Sequence, residues 1–88
     1  MSILIVETTF EEPFTDALHD EAGRKLDPCL EAHGARWVRS YLSADRLRMV
    51  CHFDAADADA VRASYRTAGV KFGKVWVAEL YTRSGVKE

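Results

Sequence analysis

A histidine, two glutamates and an arginine recur in this chain at positions that alternate with apolar residues. They are Glu7, Arg39, His52 and Glu79, each set within a short run rich in Ile, Val or aromatic side chains. A histidine with two carboxylates has the chemistry to ligate a metal or to move a proton, which makes His52, Glu7 and Glu79 a candidate metal set. A guanidinium at Arg39 can hold a small anion or carboxylate through paired N–H donors. Trp37, Tyr41 and Tyr81 follow the same alternation and would wall the apolar part of such a ligand. The competing reading is an interface salt-bridge network in which Arg39 pairs with the carboxylates and no ligand binds. The other candidates point to structure. His19, near Glu12, Asp16 and Asp20, reads as part of a solvated helix face, and His33 as a helix-end cation. Cys29 and Cys51 read as small core residues on different elements. No glycine-rich phosphate loop, nucleophile elbow or HExxH motif occurs.

Strands must carry these residues. Residues 3–10 alternate, with Leu4, Val6, Thr8 and Phe10 on one side and Ile3, Ile5, Glu7 and Thr9 on the other. Glu11-Glu12-Pro13 ends that strand, and Thr15 caps a helix whose apolar stripe is Leu18, Ala22, Leu26, Cys29 and Leu30. Pro28 removes one helical hydrogen bond and predicts a kink or a restart there, not an end; His33-Gly34 is the stop. Residues 35–43 and 47–55 predict two strands joined near Asp45-Arg46. With those two as turn residues, Arg39 faces His52, Tyr41 faces Val50 and Ser40 faces Cys51. Asp57 caps a second helix bearing Ala58, Val61, Tyr65 and Ala68, Gly69 closes it, and residues 75–83 predict the last strand.

The order β-α-β-β-α-β predicts one ferredoxin-like α+β domain over residues 1–88: a four-stranded antiparallel sheet, spatial order 4-1-3-2, with both helices on one face. The helix side should gather Leu4, Val6, Val38, Leu42, Cys51, Phe53, Trp76 and Leu80. The open side should gather Ile3, Ile5, Glu7, Trp37, Arg39, Tyr41, Val50, His52, Val77, Glu79 and Tyr81. Large aromatics on an open sheet face are costly in water, and a chain this short has a marginal core. Both arguments predict a homodimer of the dimeric α/β-barrel type, sheet facing sheet, with a polar pocket left between. In an enzyme of that architecture His52 would serve as acid or base, Arg39 would hold an anionic substrate group and Tyr41 would donate a hydrogen bond. Isomerases, cyclases and cofactor-free oxygenases use such dimers, so a small-molecule enzyme is the alternative to a binding protein.

Charge narrows the partners. Twelve basic residues are scattered among 14 acidic ones for a formal net charge of −2, without the basic footprint of a nucleic-acid binder. No apolar run reaches the ~20 residues of a membrane span, and the opening lacks signal-peptide features. The cytoplasm is the expected compartment. A copper-carrier CxxC is missing after the first strand, which reads TTFEEPFT, and the third strand, LRMVCHF, lacks the RNA-binding pattern.

Most of the chain from Trp37 to Glu79 resembles a widespread bacterial family of small ferredoxin-like proteins, some described as nickel-binding. The resemblance is carried by Trp37, Val38, Ser40 and Tyr41 in the W-V-x-S-Y pattern, by Cys51, and by Ala60-Val61-Arg62 after an acidic cap. It implies a homodimer of facing sheets and suggests nickel as the cofactor. Metal-binding members carry histidines at the positions of Arg39, Tyr65 and Val70, and this chain has none of the three. An arginine stays protonated and cannot stand in for a neutral imidazole. For this chain the expectation is therefore weak nickel binding, or none, at that site.

Overall fold

Alternation along the first stretch becomes β1 (Ser2–Thr9), where Leu4, Val6 and Thr8 are buried and the residues between them turn the other way. The computed structural model describes residues 1–85. Thr15 caps α1 (Asp16–Ala32), its Oγ1 accepting from the Leu18 N–H at 3.1 Å. Pro28 lies inside this 17-residue helix without ending it. The edge strand β2 (Arg36–Leu42) and β3 (Arg48–Ala55) follow. Their connection places Arg46 at φ +63, which a non-glycine residue adopts only at a cost. Arg46 is held there by hydrogen bonds from its side chain to the Phe14 carbonyl at 2.6 Å and to Asp16 at 3.0 Å. Asp57 caps α2 (Ala58–Ala68), and Gly69 closes it in the left-handed conformation at φ +71. The last strand, β4 (Lys74–Ala78), is shorter than expected, so Glu79 and Tyr81 lie beyond it.

The sheet order is β2-β3-β1-β4 with antiparallel neighbours, as the pattern predicts. Leu26 and Leu30 of α1 and Val61 and Tyr65 of α2 meet Leu4, Val6, Cys51, Phe53 and Val75 in one core. Each of the larger side chains, fully withdrawn from water, contributes about 1.5–3 kcal/mol. Gly73 closes the approach to β4: its N–H donates to the Glu7 carbonyl at 3.0 Å. A Cβ there would lie 2.6 Å from that oxygen, so only glycine fits. Among the described residues, no helix is long and apolar enough to cross a membrane.

Two register effects correct the expected faces. The β2–β3 ladder shifts between Trp37 and Arg39, leaving Val38 as the extra residue of a bulge. One inserted residue reverses the side on which every earlier side chain stands, so Trp37 pairs with Phe53 and joins the helix side instead of the open face. Its ring lies 6.0 Å from Phe53 and 5.4 Å from His19. On β4 the parity is also opposite to that expected. Trp76 pairs with Ile5 on the open face, and Val75 and Val77 pair with Val6 and Leu4.

Candidate functional site

The pairing of β2 with β3 brings the first two site residues together. Past the bulge Arg39 lies opposite His52, Tyr41 opposite Val50 and Ser40 opposite Cys51, in the register the turn predicts. Arg39 and His52 therefore share the open face, where directly opposed residues stand roughly 4.5–5.5 Å apart. Ile5 of β1 is opposite His52 on its other side. Beyond β4 the chain brings Glu79 to the same region. Arg39, Tyr41, His52 and Glu79 all line one concavity of about 760 Å³ on this face, floored by Ile3, Ile5 and Val50.

The other three expected residues stand elsewhere. Trp37 is on the helix side for the reason given above. Glu7 is opposite Val50 and Lys74, outside the concavity, and accepts a 2.7 Å hydrogen bond from Trp76 Nε1. Tyr81 is well exposed and does not line the concavity either. The set His52, Glu7 and Glu79 is thus not assembled as a metal centre. Among the described residues, no group of three or more His, Cys, Asp or Glu side chains is placed to hold a metal ion.

Two residues outside the expected set complete the site. Asp54, two positions beyond His52, occupies the same face, and its Oδ1 stands 3.5 Å from His52 Nε2. Its Oδ2 accepts a 2.7 Å hydrogen bond from Arg36 Nη2. Arg36 beside Asp54 holds that carboxyl below the usual aspartate range, and His52 adds a smaller effect of the same sign. His52 is largely buried, and its Nε2 has no hydrogen-bond partner among the described residues. Period two would have found Asp54 from the sequence. Arg36 was out of reach, because it meets Asp54 only through the bulge at Val38.

Behind the sheet, on the helix side, lies a second polar chain. Trp37 Nε1 donates to Ser40 Oγ at 2.7 Å, and Ser40 Oγ donates to Cys51 Sγ at 3.0 Å. Burial raises the thiol of Cys51 and the hydroxyl of Tyr65, so both stay neutral. Three residues of the pattern noted in the sequence, Trp37, Ser40 and Cys51, therefore act as internal structure, while Tyr41 is turned to the concavity. His19 is exposed, as expected of a solvated face, with its ring 5.4 Å from that of Trp37 and its Nδ1 3.7 Å from Asp20. It lines a separate open groove between α1 and β2 together with Asp20, Arg24, Asp27 and Ser40.

The fold has a counterpart in the crystal structure of SCO4226 from Streptomyces coelicolor A3(2). That structure superposes with a TM-score of 0.81 at 12% identity, covering 92% of this chain and all of the other. Among curated proteins, none matches at a significant level. The model of the family described as "Nickel responsive protein SCO4226-like" matches residues 4–77, and this chain belongs to that family.

Proposed function

We propose that this protein is a homodimer that binds a small anionic molecule between two facing sheets. The observation that carries the reading is the opposition of Arg39 and His52 at the edge of the open-face concavity. A guanidinium there offers paired donors to a carboxylate, and Tyr41 and Glu79 add polar groups at the same rim. The dimer is supported by what the open face exposes. Tyr41 is 65% and Trp76 45% exposed, with Val50 nearby, a surface that a second copy would withdraw from water. A second copy would also roof the concavity. The two unpaired cysteines, on different elements, suit a reducing compartment, and the cytoplasm is the proposed location.

Sedimentation at micromolar concentration should return a dimer, and Val50→Asp on the open face should return a folded monomer. Thermal-shift titration with benzoate, phenylacetate and succinate tests the ligand class. At least one should stabilise the wild type and none should stabilise Arg39→Ala, whose dimer stays intact. A monomeric wild type ends the dimer reading. An Arg39→Ala variant that unfolds instead marks the cluster as a structural salt-bridge network.

A second reading is favoured by one atom. His52 Nε2, buried and 3.5 Å from Asp54 Oδ1, has the arrangement of an acid–base histidine oriented by a carboxylate. A small-molecule enzyme would use it on a substrate held by Arg39. Loss of turnover in His52→Gln with retained ligand binding would favour this reading; turnover untouched by that change would dismiss it.

A further inference from the structure

The carboxylate best placed to hold a cation on the open face already holds one. Asp54 Oδ2 receives Arg36 Nη2 at 2.7 Å, while Oδ1 stands 3.5 Å from His52 Nε2. A histidine and a carboxylate at that spacing would be the natural start of a divalent-metal site. Here β2 brackets the pair with two guanidiniums: Arg36 opposite Asp54, and Arg39 opposite His52. Both remain protonated at any accessible pH and have no lone pair to offer a metal. A divalent ion approaching His52 and Asp54 would gain one nitrogen and one carboxylate from this chain and would meet two fixed positive charges. No third His, Cys, Asp or Glu joins them among the described residues. The contact with Arg36 also keeps Asp54 ionised and engaged well below neutral pH.

We propose that Arg36 is the built-in cation of this site, occupying on Asp54 the place a divalent metal would take, so that this member of a nickel-responsive family does not take up nickel on its sheet. The bulge at Val38 is what makes the substitution possible. Without that extra residue, Arg36 would be carried out of register with Asp54 and onto the other face. The proposal stands independently of the organic anion proposed for the concavity, since either can fail without the other.

Equilibrium dialysis of the full chain against nickel chloride tests it, comparing wild type, Arg36→Ala, Arg36→Gln and the double variant Arg36→Ala/His52→Ala. Arg36 has a 75% exposed side chain, so its removal leaves the core untouched, which circular dichroism verifies. The wild type should show no His52-dependent uptake at micromolar nickel. Arg36→Ala and Arg36→Gln should each gain about tenfold or more in affinity, since one unit charge within ~5 Å of a divalent ion is worth that much even at the dielectric constant of water. The double variant should lose the gain. The proposal is overturned if the wild type takes up nickel at micromolar concentration and loses it on His52→Ala, or if neither Arg36 variant gains. A reading that needs no variant is the proton NMR spectrum of the wild type. Selective broadening of the His52 ring signals by stoichiometric nickel also overturns it, and unbroadened signals support it.

Discussion

Replacing Trp37 separates two accounts of this fold. If the unbroken alternation of the second strand held, Trp37 would sit on the open face, and Trp37→Ala would weaken the proposed dimer while sparing the monomer. In the structure the indole packs 6.0 Å from the Phe53 ring and 5.4 Å from that of His19, and its Nε1 donates to Ser40 Oγ at 2.7 Å. Truncating a fully buried Trp or Phe to Ala costs about 3–5 kcal/mol. Trp37 is half-buried, so about 2–3 kcal/mol is expected, the hydrogen bond to Ser40 included. For a domain of this size that lowers Tm by about 10–20 °C. It lowers the urea midpoint by about 2–3 M, taking m near 1 kcal/mol/M. Trp37→Phe keeps the ring contact, loses the N–H donor and should cost about 1 kcal/mol. Urea titrations followed by far-ultraviolet circular dichroism, at one fixed protein concentration so that association contributes equally, provide the measurement. A Trp37→Ala midpoint within about 0.5 M of wild type, together with a dissociated dimer, would refute the placement of Trp37 and the bulge that produces it.

Three further changes probe the surrounding structure. Gly73→Ala should cost about 1–3 kcal/mol by driving a Cβ into the Glu7 carbonyl and breaking the 3.0 Å bond to it; a loss under about 0.5 kcal/mol in denaturant titration would refute the close approach. Pro28→Ala should raise Tm by several degrees, about 1 kcal/mol, because it restores a hydrogen bond inside α1 while freeing the unfolded chain slightly; an unchanged or lowered Tm would contradict this. Arg36→Ala should cost at most about 1 kcal/mol at neutral pH, since Arg36 is largely solvated. The folded-state pKa of Asp54 lies below its ordinary value near 3.8, so this contribution is fully present above that value and is lost as pH falls through the lower, folded one. The gap in stability between wild type and Arg36→Ala should therefore close in acid below pH 3.8, and a gap that widens there would reverse the assignment.

The sequence by itself determined the elements and their order. Period-two stretches, the caps at Thr15 and Asp57 and the stops at Gly34 and Gly69 are local properties, legible without knowing what packs on them. Turn length did the same for the register of Arg39 with His52 and of Tyr41 with Val50, because a hairpin transmits its register from the loop outward. Alternation broke down where a non-local contact was worth more than the pattern. At Val38 the ladder gains a residue, because packing Trp37 on Phe53 and His19 and satisfying its N–H at Ser40 stabilise the bulged strand. That one residue removed Trp37 from the open face and brought Arg36 to Asp54. On β4 Trp76 and the valines on either side of it competed for the helix face. Pairing with β1 settled it by burying Val75 and giving the Trp76 N–H a partner at Glu7, an atom 69 residues away in the chain. The sequence named Arg39 and His52, and period two puts Asp54 on the same face; only the tertiary structure decided that the guanidinium of Arg36 joins them, since that contact depends on an inserted residue whose stabilisation comes from the helix side of the sheet.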